Sequence, residues 1–491
     1  MERRGTSMRY IIWGTGGAAR KFLNENLLSL LACGDISAVV DGNPQKTGRN
    51  FFGKTVVLPE QISYLQYDKI IVCSTFYHEI VREAAQLGVD TKKIISMLEM
   101  KKEIARYYLE ICRLTQKRIL VLGDNKYHLY PVYKEYFQNF SFLPIEELGK
   151  LGEWEYDYIL LTELSNTEFN QASDDELTLQ DRAICCLADK LHISRRKILP
   201  SSIFMMIYAN SELKVSYGEA YPDKTFLEIR FMGYAGWGYI FHVVSRNILY
   251  AGQKGYIPVV NMMTCHNTYL EEEEVGKVNA WEKFFEQPAG YTMEDVMQAK
   301  HVILAPQEQE GAYENRDFYQ KLIMKPRLQK MFDNYMKTFY AHGQALGVLY
   351  RGTDYTNLKP YNHPVQPSLS MMLDKVSEKS RDWNLEQIYL CTEVEEAVSA
   401  FRERFGDKVF YYPQMRYSED CNDYLGTIAF GRKEDAFYRG ADYWILLNAL
   451  SKCDSLVAGQ CGGAHMAMEL NGGEYRHVYQ FDLGKYGVAK R

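Results

Sequence analysis

Twice in its N-terminal portion the chain runs an apolar strand into a turn and then into a helix. Residues 8–15, Met-Arg-Tyr-Ile-Ile-Trp-Gly-Thr, are an apolar run ending in the turn Gly14-Thr15-Gly16-Gly17, and a helical stretch follows over 18–31. Two more short apolar runs, 36–40 ending at Asp41 and 69–73 ending at Ser74-Thr75, lead to a helical stretch over 79–87. Short apolar runs separated by helix-length segments predict a parallel sheet, because parallel neighbours need a crossover and are buried on both faces. From Lys117 the pattern restarts: Arg118-Ile-Leu-Val-Leu-Gly123 repeats the first strand, and residues 156–162 repeat residues 67–73. Residues 87–95 and 191–199 also share one order, apolar, turn, basic, apolar, which predicts an internal duplication.

A third unit opens with a strand at 225–230, a glycine loop, a long apolar helix over 240–251 and a strand at 255–260. Helices and connectors fill 293–342, and a fourth unit then begins with a strand at 345–350, followed by strands at 388–391, 409–412 and 455–458. The fold class expected is α/β, several Rossmann-like doubly wound parallel sheets, with boundaries at 1–115, 116–220, 221–342 and 343–491. A chain of 491 residues with 46% hydrophobic side chains is long and apolar enough for that many cores.

A net charge of −6, with scattered lysines and arginines, offers no field for a nucleic-acid backbone. No stretch has the ~20 apolar residues of a membrane span, and the start lacks a signal-peptide core. The expected place is the cytoplasm, with peripheral association at a membrane surface left open. The ten cysteines show no metal-knuckle spacing, so free, mostly buried thiols in a reducing compartment are expected.

Four places carry residue types suited to chemistry. Gly14, Gly16 and Gly17, with Asp41 at the end of the next strand, have the form of a dinucleotide loop: backbone amides approach a pyrophosphate and the carboxylate holds a ribose hydroxyl. The alternative is that these glycines only turn the chain; the second repeat, Gly123-Asp124-Asn125, lacks the later glycines. Gly233, Gly236 and Gly238 stand between strand and helix in the third unit, with His242 one turn in; they serve either a ligand or close packing, and His242 is either a ligand group or a core histidine.

In the fourth unit, Arg351-Gly352-Thr353-Asp354 follows an apolar strand, where open α/β sheets bind ligands, and a guanidinium fork suits a diphosphate. The alternative is a structural Arg-Asp pair. Gly459-Gln460-Cys461-Gly462-Gly463 is a small-residue turn into a helix whose amides favour an anion. Thr392-Glu393 closes another strand with groups suited to ribose or base, or else caps the next helix.

The N-terminal unit resembles the small Rossmann-like domain at the front of bacterial sugar acetyltransferases, through Ile12-Trp13-Gly14-Thr15-Gly16-Gly17 and Val39-Val40-Asp41-Gly42-Asn43-Pro44. Residues 225–475 resemble the superfamily of α1,6-fucosyltransferases, nodulation-factor fucosyltransferases and protein O-fucosyltransferases, through the order glycine loop, Arg-x-Thr-Asp, strand-Thr-acid and small-residue helix start. That resemblance implies a GT-B-like pair of Rossmann-like domains with Gly233, Gly236, Gly238 and His242 in the cleft. It implies that Arg351 contacts the donor β-phosphate, and that Asp354, Thr392, Glu393 and Cys461-Gly462-Gly463 hold a guanine nucleotide while Asp442 reads the base. Leu349 stands where the family often has histidine, and Cys461-Gly462 where it usually has serines.

The implied activity is an inverting transfer of fucose from GDP-fucose to a glycan acceptor in surface-polysaccharide synthesis. Metal-dependent glycosyltransferases of the other common fold hold the diphosphate through Asp-x-Asp, a tripeptide absent here, so no metal or other cofactor is expected. Asp354, Glu393 and His363 are candidates for the acceptor's general base. Two alternatives stay open: an NAD-dependent sugar-nucleotide oxidoreductase or epimerase using the Gly14 loop, and a non-catalytic sugar-nucleotide sensor. The oligomeric state is not indicated.

Overall fold

The computed structural model describes residues 8–74, 76–123, 136–161, 188–231, 234–264, 266–305, 317–360 and 363–486. The chain divides into two compact units, Met1–Glu212 and Leu213–Arg491.

In the first unit, strands β1 (Met8–Trp13), β2 (Gly34–Val40), β3 (Asn50–Phe51), β4 (Lys54–Val57), β5 (Lys69–Val72) and β6 (Ile94–Ser96) form a sheet in the order β3-β4-β2-β1-β5-β6. Its neighbours are parallel apart from β3 and β4, joined by a tight turn in which Phe52 and Gly53 both have positive φ. Strands β7 (Arg118–Leu122), β8 (Asn139–Leu143), β9 (Tyr158–Leu161) and β10 (Ile198–Pro200) form a second, parallel sheet in the order β10-β9-β7-β8.

The order β8-β7-β9-β10 repeats β2-β1-β5-β6, and the repetition extends to single bonds. The Arg9 amide donates to the Asp68 carboxylate at 2.8 Å, and the Arg118 amide to that of Asp157 at 2.9 Å. Gly14, at φ +117, donates its N–H to Val40, and Gly123, at φ +134, donates to Leu143. Each sheet has its own apolar core, around Ile11, Trp13, Val40 and Ile70 in one and Leu120, Leu122, Ile159 and Ile198 in the other.

In the second unit, β11 (Leu213–Val215), β12 (Phe226–Arg230), β13 (Ile257–Asn261) and β14 (Val302–Leu304) form a sheet in the order β11-β14-β12-β13. Only β11 runs antiparallel, along β14, so the sheet starts ahead of the 220/221 boundary expected from the sequence. Strands β15 (Ala345–Tyr350), β16 (Gln387–Thr392), β17 (Val409–Phe410), β18 (Ser455–Gly459) and β19 (His477–Phe481) are all parallel, in the order β17-β16-β15-β18-β19. The strand expected over 409–412 stops at Phe410.

One aromatic core joins these two sheets. Trp237 stacks on Tyr269 with ring centroids 4.2 Å apart and donates its indole N–H at 3.1 Å to the carbonyl of Gly440. Phe241, Phe284, Phe285 and Trp444 close around it, and such pairs contribute about 1 kcal/mol each beyond their buried area. Gly440 is required there, because a Cβ would lie 2.6 Å from the Phe284 ring.

Among the described residues no helix is long and apolar enough to cross a membrane. The described cysteines are free; Cys73, Cys391 and Cys453 are buried, and Cys33, Cys112, Cys421 and Cys461 are half-buried.

Candidate functional site

In the second sheet of the Leu213–Arg491 unit the strand order reverses at β15, whose neighbours are β16 on one side and β18 on the other. Beyond the carboxyl ends of such a pair lies the crevice where open α/β sheets receive ligands. β15 delivers Arg351 there, and β18 delivers the turn into the helix Gly462–Asn471.

Arg351 Nη2 lies 2.7 Å from Asp354 Oδ1, and Nη1 lies 2.7 Å from Glu393 Oε2. Its guanidinium also sits 5.1 Å above the Tyr355 ring, which meets the His363 ring edge-on at 5.2 Å. The turn that brings Asp354 back to Arg351 passes through Thr353 at φ +55 and ψ −124, a conformation strained for a β-branched residue. Thr353 is fully buried; its hydroxyl donates to the Gly352 carbonyl at 2.8 Å, and its own carbonyl accepts from the amides of Thr356 and Asn357.

Burial pushes the Glu393 carboxyl up; Arg351 opposes this and Asp354 adds to it. Thr392 is spent locally, its hydroxyl accepting from the Val394 amide at 3.1 Å ahead of the helix Glu395–Phe405.

On the β18 side, a Cβ on Gly459 would run into Gln366 Oε1 and lie 3.0 Å from Pro367 Cδ, and Gln366 donates at 2.6 Å to the Gln460 carbonyl. A Cβ on Gly463 would meet the Tyr443 hydroxyl at 2.9 Å and Leu349 at 3.3 Å. Burial pushes the Cys461 thiol up, while the Ala464 amide, Arg351 and the Gly463 amide pull it down.

The helix Trp237–Lys254 starts at the same place. A Cβ on Gly238 would come within 3.5 Å of the Gly462 backbone, so the first turns of the two helices touch. Neither N-cap residue, Gly236 or Cys461, supplies a side-chain capping bond. Two positive helix ends held together without capping anions favour a negative ligand beside them. His242 and His465, one turn into their helices, are both exposed, which overturns the core alternative for His242. Partial burial, with Arg246 and His465 adding, pulls His242 below the ordinary imidazole value. Gly233 lies outside the described residues.

Asp442 is committed elsewhere. Its two oxygens take the Tyr412 hydroxyl at 3.1 Å and Arg432 Nη2 at 3.0 Å, and Arg432 continues to Asp435. It thus ties the segment 412–432 to the helix Asp435–Ser451 and presents no open carboxylate to a base. Asp41 in the first unit is likewise occupied: it accepts from the Thr15 amide and hydroxyl, the Asn43 amide and Lys46. Burial raises its carboxyl, but the bonds from Thr15, Lys46 and Asn43 outweigh that and leave it below the ordinary value. Gly14 avoids a contact of 2.7 Å with the Cys73 carbonyl, Gly16 stands in open space as N-cap, and Gly17 begins the helix Gly17–Cys33.

Sequence reasoning missed Tyr355, Tyr443 and His465. Tyr355, four residues after Arg351, was within reach of a local argument; the other two enter only when distant segments converge.

A family model described as C2185-like, N-terminal, matches residues 6–95. No curated protein sequence matches the chain. Among solved structures the chain is similar to a NodZ α-1,6-fucosyltransferase soaked with GDP-fucose, at 15% identity over 53% of this chain and 96% of that one, with a TM-score of 0.37. It is similar to fucosyltransferase NodZ from Bradyrhizobium at 14% identity over 50% and 92%, with a TM-score of 0.35. POFUT1 in complex with GDP is similar at 11% identity over 75% of this chain and 98% of that one, with a TM-score of 0.27.

Proposed function

We propose that the Leu213–Arg491 unit is an inverting glycosyltransferase that takes a nucleoside diphosphate sugar, GDP-fucose, and transfers the sugar to a glycan acceptor. One observation carries this: Arg351 and two helix starts without side-chain caps, at Gly236 and Cys461, surround the crevice at the strand-order reversal. The preference for GDP-fucose rests on the motif order glycine loop, Arg351-Gly-Thr-Asp354, Thr392-Glu393 and Cys461-Gly462-Gly463.

In this mechanism the diphosphate takes the Arg351 fork and the amides opening the helix Gly462–Asn471, displacing Glu393 while Asp354 keeps the guanidinium in place. As the bond from the anomeric carbon to the diphosphate breaks, the acceptor hydroxyl bonds to that carbon and its proton passes to one of the candidate bases Asp354, Glu393 or His363; charge grows on the leaving diphosphate, and fixed donors facing it lower the barrier. That charge is met by the protein's own cation and amides, so transfer proceeds in the presence of EDTA.

The test is transfer or hydrolysis of radiolabelled GDP-fucose by the full chain. Arg351→Ala should lower turnover by ~100-fold or more. Near-normal turnover by that variant, or a thermal shift with NAD and none with GDP, would defeat the proposal.

A further inference from the structure

The loop 417–428 is fastened to the Arg351 pocket from three directions. Tyr417 exchanges backbone bonds with the segment after β16, its amide donating to the Glu393 carbonyl at 2.8 Å and its carbonyl accepting from the Glu395 amide at 3.0 Å. Asn357, on the short helix that follows Arg351, donates to the carbonyls of Glu419 and Cys421 at 2.9 and 2.8 Å. Arg439 donates to the carbonyls of Gly426 and Ile428 at 3.2 and 3.0 Å. So anchored, the loop reaches the other sheet's side of the crevice: a Cβ on Gly426 would lie 3.1 Å from Thr268 Oγ1 and 3.6 Å from Tyr234 Cβ.

At this junction two large rings stay in solvent, Tyr424 at 60% exposure and Tyr234 at 46%. A third, Tyr239 at 47%, lies one residue beyond the Gly238–Gly462 contact. The loop also carries Glu419, Asp420 and Asp423, all exposed, and no lysine or arginine.

Resting on the function proposed above, we infer that Tyr424 and Tyr234 form the acceptor subsite and that the acceptor presents neutral pyranose rings. The C–H faces of a pyranose stack on aromatic rings, and its hydroxyls donate to carboxylates. Three exposed carboxylates, none of them in an ion pair among the described residues, disfavour a phosphorylated or uronic acceptor. The subsite opens beside the diphosphate crevice, as transfer between two bound sugars requires.

Saturation-transfer NMR on the full chain with cellotetraose, mannotetraose, chitotetraose and tetragalacturonate tests the inference. At least one neutral tetrasaccharide should bind and tetragalacturonate should not. Tyr424→Ala should weaken that binding about tenfold, with Tyr424→Phe close to wild type. A GDP-induced thermal shift in Tyr424→Ala equal to that of the wild type shows that the variant is folded. Binding of none of the neutral sugars, preference for tetragalacturonate, or unchanged affinity in Tyr424→Ala overturns the inference. Tyr424-dependent glycan binding by a chain that shows no shift with GDP supports the subsite and rejects the donor assignment alone.

Discussion

Arg351 holds two carboxylates at 2.7 Å each, so when Glu393 is ionised the position assigned to a diphosphate carries one more negative charge than positive. The account therefore requires Glu393 to compete with the donor. Two unit charges about 5 Å apart at an effective dielectric constant of about 20 interact by about 3 kcal/mol. Glu393 keeps 25% of its side chain exposed, so about half of that survives screening, which corresponds to roughly tenfold in affinity. Glu393→Gln should accordingly bind GDP about tenfold more tightly than wild type at mildly alkaline pH.

The pH dependence has a definite sign. Burial raises the Glu393 carboxyl above its ordinary value, so folding shifts its titration to higher pH. Its contribution to stability is present at low pH and lost as pH rises through the raised value. The ratio of wild-type to variant GDP affinity should fall over the same interval, as ionised Glu393 reclaims Arg351, while the second ionisation of the GDP phosphate, at about pH 6, affects both proteins alike. Titration calorimetry from about pH 4.5 to about pH 8 reads both effects. Weaker GDP binding by Glu393→Gln at every pH, or a wild-type-to-variant affinity ratio that rises with pH, would refute the argument.

Gly440→Ala drives a methyl into Phe284 and Tyr269 and should destabilise the Leu213–Arg491 unit by about 1–3 kcal/mol, seen as a melting point lower by several degrees. An unchanged melting point would mean that the Trp237 cluster yields more readily than its packing implies. Asp41→Ala strands Thr15 and Lys46 and should cost the N-terminal unit about 1–3 kcal/mol, read by amide exchange across β1 and β2, with GDP binding unaltered. Because the Asp41 carboxyl lies below its ordinary value, its contribution is present above that value and lost as pH falls through the lowered one. A stability gap between wild type and Asp41→Ala that does not narrow as pH falls through that range would contradict this.

The parallel sheets were legible because strands buried on both faces read as apolar runs, as in residues 345–350 and 455–458. Arg351 and the 459–463 turn were legible because strand ends and small-residue helix starts are local signals. The β3–β4 hairpin escaped notice because Phe52, at φ +50, occupies a turn position where glycine or asparagine is the ordinary cue. β11 escaped because three residues carry no period, and only β14 beside them makes them a strand. Asp41 and Asp442 have the composition of ligand-reading carboxylates, but Lys46 and Arg432, whose contacts arise only on folding, already occupy them. The meeting of Gly238 with Gly462 joins segments from two sheets, which no local pattern encodes.

The most direct measurement is a crystal structure of the full chain soaked with GDP. The account predicts the β-phosphate within hydrogen-bonding distance of the Arg351 guanidinium and the Gly462 and Gly463 amides, with Glu393 turned away. GDP lodged at the Gly14 turn of the first unit, or bound with Arg351 still clasped by both carboxylates, would contradict it.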